Sequence, residues 1–184
     1  MRITLAKTAG FCFGVDRAVN MAYELAQKGC PAATLGQLIH NTRVTSELEN
    51  MGVRTIDLPS QAKCGETVII RAHGVAKPVY DELGEMGAEI CDATCPFVKK
   101  IHRIVSDYKD SNTVILIAGD ENHQEVKGII GHISTQYFVF KNEDELEQIL
   151  ENNHNFTNKQ IISVSQTTFH KKTWDECQKI LKKV

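Results

Sequence analysis

Cysteine, histidine, carboxylate and hydroxyl side chains recur along this sequence at places where the chain turns. Cys12 lies in Gly10-Phe11-Cys12-Phe13-Gly14-Val15. Glycines on both sides let the backbone turn tightly and leave the thiol exposed. A helix beginning beside it would favour a thiolate or an anion. Cys95 lies in Asp92-Ala93-Thr94-Cys95-Pro96, and a proline there suits the first turn of a helix. Each cysteine also has a plain structural reading as a small buried hydrophobe, with Asp92 or Thr94 acting as a helix cap. His40, His73 and His123 each follow a strand-like run or sit in a short loop, in His40-Asn41, Ala72-His73-Gly74 and Asn122-His123. Three imidazoles at strand ends suit an anion site or a metal site. His102, His132, His154 and His170 fall at helix or surface positions and are assigned no role. The sequence has no GxxxxGK[ST] loop and no basic patch, so a phosphate would be held by imidazoles, hydroxyls and backbone N–H groups. In His123-Gln124-Glu125, alternate residues of an extended segment would point the same way and could form a proton-donating pair. Taken alone, Glu125 is better explained as an acid starting a helix. Val164-Ser165-Gln166-Thr167-Thr168 offers hydroxyls and an amide just past a strand, a turn that can hydrogen-bond an anion or a substrate hydroxyl, though alone it reads as a helix cap.

The elements that must position these groups alternate. Short β-branched runs at 3–6, 32–35, 53–56, 68–71, 89–91, 113–118, 137–140 and 160–164 are expected as strands. Amphipathic stretches at 15–28, 42–51, 77–86, 97–108, 125–130, 143–152 and 171–183 are expected as helices. This alternation implies parallel sheets with helices on both faces. The chemically interesting residues also repeat. Cys12 and Cys95, Gly36 and Gly119, and His40 and His123 are each 83 positions apart. The expected architecture is therefore α/β, with two similar parallel-sheet αβα units facing a central cleft, the first at 1–96 and the second at 97–184.

Composition narrows the functional classes. The 184 residues are 42% hydrophobic with a formal net charge of −2, so the chain is expected to fold with a real core. Lys and Arg number 21 against 23 Asp and Glu, which disfavours non-specific nucleic-acid binding. No apolar run approaches the length of a membrane span. The N-terminal residues lack the apolar segment of a signal peptide, so a cytoplasmic location is expected. The six cysteines would then be reduced, and none forms a CxxC pair, which argues against zinc fingers and thioredoxin-like sites.

Taken in order, GFCFGVDRAV, LIHN, RAHGV, DATCPFV, the G-x3-HQEVKG segment and VSQTT resemble the 4-hydroxy-3-methylbut-2-enyl diphosphate reductase family, also called LytB-type reductases. The six matches span residues 10–168. The resemblance implies a fold of three similar α/β units around an iron–sulfur cluster, each unit giving one cysteine. Cys12 and Cys95 would be thiolate ligands of a [4Fe–4S] cluster with one iron open to substrate. His40, His73 and His123 would surround the substrate diphosphate. Glu125 would deliver a proton, Thr167 would hold the substrate hydroxyl or a water, and Thr168 would line the same pocket. The implied reaction is reductive removal of the allylic hydroxyl, giving isopentenyl and dimethylallyl diphosphates, with a ferredoxin or flavodoxin as electron donor.

One departure from the family pattern bears on the ligand set. The family's third cluster cysteine lies further beyond VSQTT than the sixteen residues that follow Thr168 here. Cys177 lies near the 83-residue offset from Cys95. However, His40 to His73 is 33 positions whereas His123 to Thr167 is 44, so the second unit is longer and Cys177 is expected as a buried residue within a helix. The chain is therefore read as the first two of three units, with the third unit and the third cluster cysteine absent. Such a portion is expected to bind the cluster poorly and to turn over poorly alone. Two other readings stand beside this one. The first is a non-catalytic diphosphate-binding module without a cluster. The second, weaker because the ligands lack paired spacing, is a zinc site.

Overall fold

The computed structural model describes residues 3, 4, 6, 9–39, 41–153, 156 and 158–183. The chain forms two compact units. The first comprises Met1–Ala72 and Glu82–Pro96, and the second His73–Asp81 and Phe97–Val184.

In the first unit, helix α1 (Phe13–Gln27) leads to strand β1 (Ala32–Leu35), helix α2 (Thr42–Asn50) and strand β2 (Val53–Ile56). A 3-10 turn at Pro59–Gln61 connects to β3 (Thr67–Ile70), and β4 (Glu89–Asp92) closes the sheet. The sheet order is β2-β1-β3-β4, parallel throughout. Helix α1 forms because Ala18, Ala22 and Ala26 recur at a four-residue spacing and face the sheet, all buried with Val19. Helix α2 begins at Asn41, whose side chain accepts the N–H groups of Arg43 and Val44 at 3.1 and 3.3 Å. The core joins these helix residues to Ala32, Val53 and Ile69 of the sheet. Helix α3 (Lys77–Glu85) stops before Gly87, whose φ of +70° suits a residue without a Cβ.

The second unit begins its main body with α4 (Pro96–Asp107), whose first residue, Pro96, ends the first unit. It continues through β5 (Thr113–Ala118), α5 (Gln124–Ile130), β6 (Gln136–Phe140), α6 (Glu143–Asn152), β7 (Gln160–Ser165) and α7 (Lys171–Leu181). Its sheet, β6-β5-β7, is also parallel. Strand β5 is buried along its whole length, and its side chains alternate between two cores. Val114, Leu116 and Ala118 pack with Leu146 of α6 and Cys177 of α7 on one face. Ile115 and Ile117 pack with Val105 of α4 and Val126 and Ile129 of α5 on the other. The result is an αβα sandwich, in line with the expected α/β class.

The expected strand at 3–6 is not observed. Ile3, Thr4 and Ala6 are exposed and in no strand, the Ala6 carbonyl instead accepting the Ala9 N–H at 3.1 Å, while Leu5 lies outside the described residues. Ile3 is 79% exposed. An apolar, β-branched run is a strand only where a neighbouring strand takes its backbone bonds and a core takes its side chains, and the described residues of this run join neither sheet.

Candidate functional site

The thiol pair lies within the first unit. Cys12 is the N-cap of α1, in extended backbone, and its carbonyl accepts the N–H of Asp16 at 2.9 Å. Its thiol is exposed. Cys95 follows β4 and directly precedes Pro96, the first residue of α4. Its N–H donates to the Ala72 carbonyl at 2.9 Å, which fixes it at the end of β3. A Cβ added to Gly14 would lie 2.6 Å from Cys95 Sγ and 2.9 Å from Cys95 Cβ. Cys95 therefore rests on the bare first turn of α1, beside the residue that caps it. Arg17, one turn further along α1, donates to the Thr94 carbonyl at 3.4 Å. Both cysteines thus sit at the N-terminus of α1. Among the described residues, no group of three His, Cys, Asp or Glu side chains is placed to hold a metal ion. Thiolate sulfur is the usual ligand of iron–sulfur clusters, and Cys12 and Cys95 are both free thiols.

Cys177 is different. It is fully buried in α7, and burial pushes its thiol up to about 11. It is a packing residue, as its place within a helix suggested. Cys91 is also held above the ordinary thiol range, first by burial and then by the neighbouring Asp92 carboxylate.

The carboxyl ends of β5 and β7 form a second constellation, in the second unit. The chain order reverses between these two strands, and such a switch point opens a crevice at their carboxyl ends. After β5, His123 caps α5 and its Nδ1 accepts the N–H of Glu125 at 3.1 Å. A ring nitrogen that accepts a backbone N–H carries no proton, so the neutral ring holds its hydrogen on Nε2. The His73 ring meets the His123 ring edge to face, with centroids 5.6 Å apart. His40 lies outside the described residues.

Glu125 is 1% exposed. Its two carboxyl oxygens accept the N–H and the hydroxyl of Thr167 at 2.6 and 2.7 Å. Of the two readings of His123-Gln124-Glu125, the structure takes the helix start, with Glu125 in the first turn of α5. Glu125 points to the β7 turn rather than to the imidazole. Two residues before Thr168, Gln166 is nearly buried, at 9% exposure. It donates from Nε2 to Thr168 Oγ1 at 2.6 Å and accepts the N–H of Asp120 on Oε1 at 3.2 Å. Thr167 and Thr168 are both exposed. The Asp120 carboxylate is held below the ordinary range, first by the N–H of Asn122 and then by Lys141.

The sequence did not single out Gln166 as a working residue. Its only signal was an amide between two strand-end hydroxyls. His102 and His132, assigned no role, stack 4.1 Å apart beneath α5, and His132 Nε2 lies 3.0 Å from the Val75 carbonyl. Their part is packing.

Comparison with known proteins places the chain. The family model described as "LytB protein" matches residues 3–184. A 4-hydroxy-3-methylbut-2-enyl diphosphate reductase of Caldanaerobacter subterraneus subsp. tengcongensis is 42% identical over 186 residues, covering 99% of this chain and 62% of that protein. One of Geotalea uraniireducens is 43% identical over 149 residues, covering 81% of this chain and 52% of its own length. Among solved structures, one described as (E)-4-hydroxy-3-methyl-but-2-enyl diphosphate reductase, the terminal enzyme of the non-mevalonate pathway, superposes with a TM-score of 0.80 at 32% identity. It covers 98% of this chain and 63% of its own. The Plasmodium falciparum E-1-hydroxy-2-methyl-but-2-enyl-4-diphosphate reductase gives 0.82 at 28% identity, covering 96% and 55%. The chain thus spans less than two thirds of the length of these relatives.

Proposed function

We propose, from the premise that this chain belongs to the LytB protein family, that it carries the catalytic and diphosphate-binding parts of a 4-hydroxy-3-methylbut-2-enyl diphosphate reductase. The observation that carries this reading is the buried Glu125 carboxyl gripped by Thr167. A nearly inaccessible acid whose hydrogen-bonded neighbour is an exposed hydroxyl is a way to deliver a proton to a bound molecule without exposing the acid to water.

In the proposed reaction the substrate's allylic C–O bond breaks. Two electrons and two protons enter, one hydrogen ends on the allyl carbon skeleton, and the hydroxyl leaves as water. The products are isopentenyl and dimethylallyl diphosphates. Cys12, Cys95 and one further thiolate would hold a [4Fe–4S] cluster, which would supply electrons and a Lewis-acidic iron. The chain's own residues do the rest. His123, with its hydrogen on Nε2, donates to a diphosphate oxygen, and the His73 ring stands beside it. Thr167 Oγ1 accepts from the substrate hydroxyl while Glu125 is ionised. Once Glu125 is protonated, the direction reverses, and the proton passes from the carboxyl through Thr167 towards the leaving oxygen.

A one-electron carrier such as ferredoxin or flavodoxin delivers the electrons, and the enzyme works in the cytoplasm. No helix among the described residues is long and apolar enough to cross a membrane.

The test is anaerobic purification of this chain beside a version extended to the length of its relatives, with iron and sulfide analysis and a turnover assay. The extended protein is expected to be coloured, to contain iron and to convert the substrate. A colourless, iron-free extended protein overturns the reading. The edge-to-face His73 and His123 rings favour a second reading, an anion-binding module without a cluster. Iron-free binding of the diphosphate product together with no turnover by the extended protein would establish it.

A further inference from the structure

Gln166 and Thr168 are fixed in polarity by a single backbone group. The N–H of Asp120 can only donate, so the Gln166 atom 3.2 Å away must be the amide oxygen. The amide nitrogen then faces Thr168 Oγ1 at 2.6 Å. That nitrogen has no lone pair to offer, so Thr168 Oγ1 must accept, and its own hydrogen points away from Gln166. Gln166 cannot rotate cheaply. Its backbone N–H donates to the Ala118 carbonyl at 2.8 Å, its carbonyl accepts the N–H of Phe169 at 2.9 Å, and its side chain is nearly buried. The exposed Thr168 hydroxyl is left with one free donor at the β5/β7 switch point, in the same strand-end turn as Thr167.

We propose that Gln166 is a positioning residue that locks Thr168 as a hydrogen-bond donor to an oxygen of an anionic ligand, selecting the diphosphate over a neutral or donor-bearing group. The proposal rests on the reading of this edge as a diphosphate site. It sets the adjacent threonines apart. Thr167 faces a group that can gain or lose a proton and so can reverse direction, whereas Thr168 faces an amide and cannot. The chain thus keeps a reversible hydroxyl for the reacting oxygen and an irreversible one for the anchor.

The test is calorimetric titration of inorganic pyrophosphate into the unmodified chain and into H123A, Q166E, T168V and Q166E/T168V, at one ionic strength, with thermal melts to confirm folding. In Q166E a carboxylate still accepts from Asp120 but also accepts from Thr168, turning the hydroxyl hydrogen inward. Q166E is expected to weaken binding roughly tenfold or more when Thr168 is present, and less than about threefold in the T168V background, where only the added charge acts. T168V alone is expected to cost about as much as Q166E. Should Q166E prove unfolded, Q166M removes the amide donor without adding charge, and a Kd between those of wild type and T168V supports the proposal. Equal Q166E penalties in both backgrounds, or a T168V Kd within about twofold of wild type, overturn the proposal. If such results accompany a clear H123A defect, the diphosphate reading survives alone. If the unmodified chain binds no pyrophosphate, that reading fails and the proposal falls with it.

Discussion

Cys12 is the N-cap residue of α1 with its thiol exposed, whereas Cys177 is sealed into α7 with its thiol raised to about 11. At pH 8 roughly a thousandth of a thiol titrating at 11 is thiolate, and the thiolate is the nucleophile. Brief iodoacetamide treatment of the folded chain, read by peptide mass spectrometry, is expected to label Cys12 and leave Cys177 untouched until denaturant is added. At the carboxyl pair, Glu125→Gln keeps the shape and the bond from the Thr167 N–H but removes the transferable proton. In the extended enzyme it is expected to lower kcat by about 10²- to 10⁴-fold with a far smaller change in KM, the range for a lost general acid. Steady-state assay under anaerobic conditions checks it. Residue types drew notice to Cys12, Cys95, His73 and His123 in the sequence, because thiols and histidines at turns are rare enough to notice. Gln166 was not readable, since an amide acquires a role only through the backbone N–H it meets, and that N–H belongs to a residue 46 positions away. The Glu125–Thr167 bond spans 42 positions and was equally hidden as a contact.

At the scale of elements, the close fit of α1 to Cys95 is the most exacting feature. Gly14→Ala would place a methyl 2.6 Å from Cys95 Sγ. Helix propensity alone would make that change favourable by up to about 1 kcal/mol. The expected outcome is nevertheless a displaced Cys95, seen as a loss of iron content in the extended protein with helical circular dichroism retained. Periodicity located nearly every element, because strand burial on both faces and helix burial on one leave distinct patterns. It failed at residues 3–6, where the run is apolar but finds no neighbouring strand among those described. It was one or two residues off at most helix ends, as at α1, which starts at Phe13 because Cys12 serves as its cap.

Across the whole molecule, the two sheets share a strand order. The sequence β2-β1-β3 of the first unit matches β6-β5-β7 of the second. The 83-residue offset between the paired cysteines, glycines and histidines is the sequence trace of that repeated topology. It breaks down towards Thr167 because the link between the second and third strands of each set differs. Residues 57–66 hold only a 3-10 turn, whereas residues 141–159 hold α6. Stability should carry a pH signature from one ion pair in the first unit. Glu66, 3% exposed, accepts two bonds from Arg54 at 3.0 and 2.8 Å and one from the Lys63 N–H at 3.0 Å. Arg54 first, then the Lys63 N–H, holds its carboxyl below the ordinary range despite burial. A carboxyl depressed in the folded state stabilises above its unfolded value, near about 4.3, and loses that contribution as pH falls through the folded value. Arg54→Met is expected to cost about 2 kcal/mol at pH 7, less than a fully buried pair because Arg54 is 38% exposed. The penalty should shrink below pH 4 or so, as urea unfolding at both pH values would show.

The stretch His73–Asp81 belongs to the later unit although it is encoded before β4. There its Lys77 N–H donates to the Gly131 carbonyl at 3.3 Å and its Val75 carbonyl meets His132 at 3.0 Å. A ribosome therefore completes this strap before Gly131 and His132 have emerged, and the strap must wait on the nascent chain for these partners. A protease nick between Ala72 and Glu82 would for the same reason injure the downstream half of the protein more than the half in which it falls.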